Sequence, residues 1–417
     1  MQLRRARDLR LLDLGRRLVD LLGPTSDATR QSLIALAFNS CSSFAAGAVL
    51  GSITDTFEEL PGLLVMVPAA IGLRGNIFGA LGNRLSTSIH AGSFRLSGRR
   101  ESVLVQNVLA SLSLTFALSL LLAVIAKVVS VGFGVTNTIS VLDLALVSVL
   151  GGAIASVVVL AATVALSIGA VRREWDLDNL VAPTVSTLGD VVTIPALFLA
   201  TRLLGQGWIT TSVGWLMAAI AVGGVVATLR THLDLFRQIV RESLPVLTVA
   251  LILSTLAGIA VEKQLSVFAA LPALLVLQPA FVSSAGALGG ILSSRVGTNL
   301  HLGLVEPQMR PSLEARRDAL LVLLIGLPIF VFNGVGAHLV AGLLGQESPG
   351  LVKMVLVTLI GGLVAVLFVI ALAYYGTIAA WSVDVDPDTY GIPIVTGSVD
   401  FVGVVALIVT VFALGIA

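Results

Sequence analysis

The sequence is poor in charged residues and in cysteine. Only 12% of its 417 residues are charged and 56% are hydrophobic, whereas soluble domains carry about 25% charged residues. The one cysteine, Cys41, excludes an intramolecular disulfide. No Cys/His cluster suggests zinc or copper, and a net charge of +1 gives no indication of nucleic-acid binding. The composition predicts a membrane protein embedded in a lipid bilayer.

The N-terminal residues 1–30 lack the apolar core and cleavage site of a secretory signal peptide. They are rich in arginine, and Asp8, Asp13 and Asp20 disfavour a mitochondrial presequence. We therefore predict a cytoplasmic amphipathic arm over residues 1–30. No phosphate-binding loop and no catalytic triad occurs in the sequence, so we do not expect an enzyme.

Eleven apolar stretches are long enough to cross a bilayer, which takes about 20 residues. They cover residues 31–54, 60–83, 102–129, 139–170, 185–205, 208–229, 243–262, 271–294, 319–345, 350–376 and 392–415. The sequence therefore predicts an all-α polytopic membrane protein with about eleven spans.

Two long stretches of the chain match each other at an offset of 211 residues, as Pro61 matches Pro272. The first copy reads PGLLVMVPAAIGLRGNIFGALGNRLSTSIHAG and the second reads PALLVLQPAFVSSAGALGGILSSRVGTNLHLG. Proline, glycine, arginine and histidine positions agree within otherwise apolar sequence. Such self-similarity indicates two homologous halves, which we place at residues 31–205 and 243–417, joined by a linking helix and loop over 206–242.

The linking span has no counterpart and returns the chain to its starting side, so both five-span halves should be parallel. This arrangement differs from the inverted repeats of many transporters. Parallel halves can line one central path, so we expect the pore to be complete in one chain, without an oligomer.

Arginine distribution sets the predicted orientation of the chain in the plasma membrane, since cytoplasmic loops are enriched in Lys and Arg. The predicted cytoplasmic loops contain Arg95, Arg99, Arg100, Arg172, Arg173, Arg230, Arg237, Arg241, Arg310, Arg316 and Arg317. The opposite side contains only Lys127, Arg202, Lys263 and Lys353. The N-terminus is therefore predicted to be cytoplasmic and the C-terminus extracytoplasmic.

A second matched motif closes each half: Asp-x-Asp, four residues, proline, six residues, aspartate. Pro183 and Pro393 suit the first turn of a helix, which puts Asp190 and Asp400 about two turns into the membrane. A mid-membrane aspartate costs about 2.5–3.5 kcal/mol on insertion scales, so it should face water, a partner or an ion. Alternatively, each aspartate caps a broken helix or pairs with a basic residue.

One aspartate from each half, with neighbouring hydroxyl groups, suits a hard divalent cation. Mg²⁺ gives up its water reluctantly and binds through few carboxylates, so a hydrated Mg²⁺ fits better than a calcium cage; other divalent cations remain possible. The pore-lining candidates near the aspartates are Ser186, Thr187, Thr396 and Gly397. The acidic pairs Asp176/Asp178 and Asp386/Asp388 could form an ion exit or entrance, although helix N-terminal charge compensation explains them equally well.

The repeated Pro/Gly helix is a second candidate for the pore wall, through Gly75, Asn76 and Gly286. Close helix packing of the small-xxx-small kind is the alternative explanation for its glycines. Arg74 lies within this helix and its counterpart is Ala285. We interpret Arg74 as a possible counter-ion for a buried carboxylate.

Two segments of this helix carry a resemblance: Pro68-Ala-Ala-Ile-Gly72-Leu-Arg74-Gly75-Asn76 and Asn83-Arg84-Leu-Ser86-Thr87. They resemble the signature helix of MgtE-type magnesium channels and are more similar still to the two-copy solute-carrier magnesium transporters. The resemblance implies that Asp190 and Asp400 bind hydrated Mg²⁺ and that Ser186 and Thr396 flank it. MgtE channels carry a cytosolic sensor, whereas the predicted arm here covers residues 1–30, so gating by such a sensor is not carried over, and Ala287 replaces the asparagine of the motif.

These patterns predict a divalent cation channel or transporter, most simply for Mg²⁺. A Na⁺- or H⁺-coupled divalent cation exchanger is the alternative. An intramembrane enzyme or lipid-handling protein is more remote, since it would need a nucleophile or metal set that the sequence does not offer.

Overall fold

A computed structural model describes residues 26–416, apart from 91, 93, 95–96, 174–176, 302, 304 and 383–391. The described residues form thirteen helices and no strand. The helices are α1 Ser26–Ser52, α2 Thr54–Glu59, α3 Leu63–His90, α4 Val103–Gly132, α5 Val141–Arg173, α6 Leu177–Thr201, α7 Trp208–Arg230, α8 Asp234–Glu262, α9 Leu265–Ala270, α10 Ala273–His301, α11 Leu313–Leu343, α12 Leu351–Ser382 and α13 Ile392–Ala413.

Membrane-spanning character is clear for most of these helices. Within the described part of the chain, 10 helices are long and apolar enough to cross a bilayer. Helix α6, which matches the span predicted at 185–205, adds a shorter apolar segment over Thr187–Thr201. The prediction of an all-α polytopic membrane protein with about eleven spans is confirmed.

The short helices α2 and α9 were not predicted from the sequence. Each ends just before a proline, at Leu60 with φ −123° and at Leu271 with φ −130°. A proline pushes the preceding residue out of the helical region, so Pro61 and Pro272 separate these short helices from α3 and α10. The bounds of α2 and α9 differ by the same 211 residues as the sequence repeat.

We refer to α1–α6 as the first helix set and to α8–α13 as the second helix set. The first helix of each set packs against the other set: α1 contacts α10 and α11, and α8 contacts α3 and α4. Each also contacts the last helix of its own set, α6 or α13. The two sets are therefore interlocked rather than placed side by side.

Glycine makes this interlocking possible at one position in each set. A Cβ on Gly47 of α1 would lie 2.1 Å from the carbonyl oxygen of Val276 on α10. A Cβ on Gly258 of α8 would lie 2.0 Å from the carbonyl oxygen of Val65 on α3. Backbone therefore touches backbone at both crossings, a packing mode that small residues allow in membrane helices.

A buried carboxylate adds a polar link between the sets. Glu262, at the end of α8, accepts a hydrogen bond from the backbone N–H of Gly62, with 2.8 Å between Oε1 and the nitrogen. Gly62 precedes α3, and a negative charge at a helix N-terminus is stabilising. Glu262 therefore joins the end of α8 to the start of α3.

Helix α7 lies on the outside of the bundle against α4 and α5. Much of its apolar surface is uncovered, with Trp208 77% exposed and Trp215 66% exposed. An apolar helix face of this kind is suited to contact with lipid. It fits the predicted position of the linking helix.

We expect Gly47→Ala and Gly258→Ala to destabilise the protein, since each new methyl group would overlap a backbone carbonyl that cannot move aside. The free energy of unfolding should fall by more than about 1 kcal/mol, the typical effect of a point mutation. Thermal unfolding of the detergent-purified chain measures this loss.

Gly79→Ala and Gly290→Ala are the matched controls, since a Cβ at either glycine would meet no atom within 4 Å. Alanine is the better helix former by about 1 kcal/mol, so these variants should be neutral or slightly stabilised. Equal effects at all four positions would contradict the packing described for Gly47 and Gly258.

Candidate cation site

Two aspartates from different helix sets meet in the interior of the bundle. Asp190 lies on α6 and Asp400 on α13, at the same position of the matched motif. Both lie beside α3: a Cβ on Gly72 would lie 3.5 Å from Oδ2 of Asp400, and a Cβ on Gly189, next to Asp190, would lie 3.4 Å from the backbone nitrogen of Gly75. The charge of Asp400 therefore acts on Asp190. The helices therefore bring together the two carboxylates that the sequence singles out.

Each carboxylate has a serine partner on the first helix of its own set. Ser43 on α1 donates a hydrogen bond to Asp190, with 3.4 Å between Oγ and Oδ2. Ser254 on α8 donates to Asp400, with 2.5 Å between the corresponding atoms. The two serines are separated by 211 residues, the offset of the repeat.

Sequence reasoning missed these two serines. A serine in an apolar helix is common and usually bonds to its own backbone, so neither one draws attention by itself. The signal that could have found them is their match across the repeat, as Ser43 and Ser254 align when the offset is extended to the first helices.

The two carboxylates differ in burial. Asp190 is 8% exposed, Ser43 is fully buried, and Asp400 is half-buried. Two like charges in an apolar interior are unfavourable unless a proton or a cation compensates for them. The pair is therefore a candidate cation site.

The other pore-lining candidates near the aspartates differ in their packing and hydrogen bonding. A Cβ on Gly189 would lie 3.4 Å from the backbone nitrogen of Gly75, so α6 and α3 approach closely beside Asp190. The Thr187 hydroxyl is buried without a hydrogen-bond partner, whereas the Thr396 hydroxyl donates to the carbonyl of Pro393 at 3.1 Å.

The three remaining pore candidates differ in the space around them. Gly397 packs against α8, where a Cβ would lie 2.8 Å from the carbonyl oxygen of Ala250. Gly286 faces open space, with no atom within 4 Å of a Cβ. Asn76 lines a small cavity between α3 and α8.

Several predicted residues lie outside what the structure describes. Asp176, Asp386 and Asp388 fall outside the described residues, as do the side chains of Ser186 and Asp178. Their suggested roles at an ion entrance, an ion exit or the pore wall stay predictions.

Arg74 is fully buried on α3. Its guanidinium donates to the carbonyl of Ala70 at 3.0 Å and to the hydroxyl of Ser119 at 2.9 Å, while its Nε has no partner. No carboxylate among the described residues forms an ion pair with it. Gly152 on α5 makes room for this side chain, since a Cβ there would overlap the guanidinium at 1.8 Å.

The available ligands suit a cation that keeps its water. The described part of the chain has no group of three or more His, Cys, Asp or Glu that could enclose a metal ion. A pair of carboxylates can instead hold a hydrated ion through its water shell, the mode that Mg²⁺ favours. A polytopic helical bundle with paired intramembrane carboxylates has the form of a cation transporter.

Comparison with known proteins gives the family. The model of the MgtE family, described as divalent cation transporter, matches the chain twice, over residues 67–200 and 278–410. The matches cover more than half of the chain, and each includes one of the paired aspartates. The chain belongs to the MgtE family of divalent cation transporters.

Curated relatives agree with this assignment. Solute carrier family 41 member 3 of Rattus norvegicus is 26% identical over 401 residues, covering 90% of this chain and 85% of the relative. The Mus musculus protein of the same description is 26% identical over 371 residues, covering 83% and 74%. Solute carrier family 41 member 2 of Homo sapiens is 23% identical over 385 residues, covering 85% and 64%.

A solved eukaryotic MATE transporter, AtDTX14, aligns with a TM-score of 0.32 and 12% identity over 92% of this chain and 96% of that chain. That score is too low to carry an argument about fold or function.

If Arg74 compensates for a carboxylate of the pair, replacing both members should have a non-additive effect. In that case Arg74→Met and Asp190→Asn should couple by about 0.5–3 kcal/mol in a double-mutant cycle on the free energy of unfolding. Ser119→Ala is the control, since it removes a hydrogen bond of Arg74 and keeps the charge. Strictly additive effects would make Arg74 a packing residue only.

Proposed function

We propose that this chain transports Mg²⁺ across the plasma membrane along a path between its two helix sets. The ion is held with its hydration shell by Asp190 and Asp400. The observation that carries this proposal is the meeting of two aspartates from equivalent motifs inside an apolar bundle. Family membership makes a divalent cation the cargo, and the choice of Mg²⁺ rests on the chemistry of the site.

Magnesium fits this ligand set better than other divalent cations do. Calcium takes six to eight oxygen ligands, commonly from several carboxylates, whereas Mg²⁺ keeps several waters and needs one or two. Zinc and copper prefer nitrogen and sulfur ligands, and the described site offers only oxygen. Two carboxylates also match the charge of one divalent ion.

The serines have a positioning role in this proposal. In each pair the serine hydroxyl donates its hydrogen bond to Oδ2 of the aspartate. No described residue donates to either Oδ1, so that oxygen is free to accept a hydrogen bond from an ion-bound water. A carboxylate held in one orientation loses less conformational entropy when the ion arrives.

The orientation of the two helix sets in the membrane determines where the path lies. We infer that the helix sets are parallel repeats, with the N-terminus in the cytoplasm and the C-terminus outside. The path then lies within one chain and needs no second copy. The double match of the family model and the arginine distribution support this arrangement.

Removal of the charge at either aspartate should impair transport. We expect Asp190→Asn and Asp400→Asn each to reduce Mg²⁺ flux into proteoliposomes by at least tenfold, and the double variant to abolish it, since asparagine keeps the shape and loses the charge. Flux is measured with a Mg²⁺ gradient, with and without a sodium gradient, a pH gradient or a membrane potential. Dependence on a sodium or pH gradient would indicate coupled exchange rather than passive conduction.

Asp143→Asn is the matched control, since Asp143 is a partly exposed aspartate at the start of α5 that accepts a hydrogen bond from Ser140. Its flux should equal that of the unmodified chain, and all variants should remain monodisperse. Flux at the unmodified rate in the double variant would show that the site lies elsewhere.

A further inference from the structure

Two equivalent seams join the helix sets on either side of the aspartate pair. We call the contact between α1 and α10 the first seam, and the contact between α3 and α8 the second seam. The first seam leads to Ser43 and Asp190, and the second leads to Ser254 and Asp400. The repeat relates every position of one seam to a position of the other.

The first seam is closed by side-chain hydrogen bonds. Asn39 donates to the hydroxyl of Ser283 at 2.9 Å, and the hydroxyls of Ser40 and Ser284 are 3.1 Å apart. Asn333 on α11 adds a bond to Ser284 at 2.9 Å. Ser40, Ser284 and Asn333 are fully buried, so three helices are tied together by polar groups out of contact with water.

At the equivalent described positions the second seam has no such bonds, because the side chains there cannot make them. The positions that correspond to Asn39, Ser283, Ser40, Ser284 and Asn333 are occupied by Ala250, Gly72, Leu251, Leu73 and Leu122. The three leucines are buried in the apolar core. At the level of these positions, therefore, only apolar contacts hold the second seam together, and its polar bond from the Gly62 N–H to Glu262 lies farther along, at the end of α8.

A small cavity lies in the second seam. Its volume is about 10 Å³, which is close to the minimum that one water molecule needs. Its lining includes Gly72 and Asn76 on α3 and Ala250 and Ser254 on α8.

The cavity adjoins one aspartate of the pair. A Cβ on Gly72 would lie 3.5 Å from Oδ2 of Asp400 and 3.9 Å from Oγ of Ser254. At the equivalent place in the first seam, the side chain of Ser283 fills the space and bonds to Asn39. Consistent with this difference, Asp400 is half-buried whereas Asp190 is buried.

We propose that the cation reaches and leaves the aspartate pair through the second seam, so that Asp400 is the first carboxylate it meets, while the first seam stays closed. This inference rests on the proposed function of the aspartates. Separating the first seam would leave polar groups unpaired in an apolar medium, which is unfavourable. Beside the aspartates the second seam has the cavity, Asn76 and Asp400, and no side-chain hydrogen bond between described residues crosses it at that level.

Cross-linking each seam at equivalent positions tests this asymmetry. The background is Cys41→Ser, which removes the native free thiol. One double variant, Gly72→Cys with Ala250→Cys, links the second seam. The other, Asn39→Cys with Ser283→Cys, links the first seam at the positions that correspond to the first pair by the repeat. Both are reconstituted, oxidised or treated with a short bifunctional thiol reagent, and tested for Mg²⁺ flux before and after reduction.

Cross-linking the second seam should reduce Mg²⁺ flux at least tenfold, and reduction should restore it. Cross-linking the first seam should leave flux within about twofold of the reduced protein. Loss of free thiols verifies that each bond has formed. Because Gly72 lies beside Asp400, the pair Ala69→Cys with Leu247→Cys repeats the test farther from the carboxylates, with Ala280→Cys and Leu36→Cys as its first-seam counterpart.

Three outcomes would overturn the proposal: block by the first cross-link alone, block by both, or block by neither. Each of these leaves the aspartate site intact, since that site is tested separately by the asparagine variants. Conversely, unchanged flux in the double asparagine variant would remove the aspartate site whatever the cross-links do.

Discussion

Two like charges placed together in an apolar interior are the constraint on which this structure depends. Neither Asp190 nor Asp400 has a basic partner among the described residues, and isolated buried carboxylates are unfavourable. Such a pair needs a compensating proton or cation, and in the proposed function a transported divalent cation supplies that compensation.

The interlocked helix sets explain how such a pair is kept in position. Because α1 and α8 each cross to the other set, the serines that orient the aspartates are carried by helices fixed at both sides of the interface. The glycine crossings at Gly47 and Gly258 bring backbone against backbone, which leaves little freedom for sliding. These crossings lie about two helical turns along each seam from the level of the aspartates, and they fix the seam there.

Sequence patterns predicted the elements of this fold well and its asymmetry poorly. The prolines and aspartates of the closing motif stand out because proline and charge are rare in membrane helices, so their spacing located Asp190 and Asp400. The crossing of α1 and α8 was not predictable, since apolar helix faces do not specify which neighbour covers them. The contrast between Ser40 and Leu251 becomes meaningful only when their neighbours across the seams are known.

The central claim is that both aspartates act on one ion, and the stoichiometry of Mg²⁺ binding tests it most directly. Isothermal titration of the purified chain should show one Mg²⁺ bound at the site, and this binding should be lost when either aspartate alone is changed to asparagine. Two independent ions, or a single-asparagine variant that binds Mg²⁺ as tightly as the unmodified chain, would contradict a shared site.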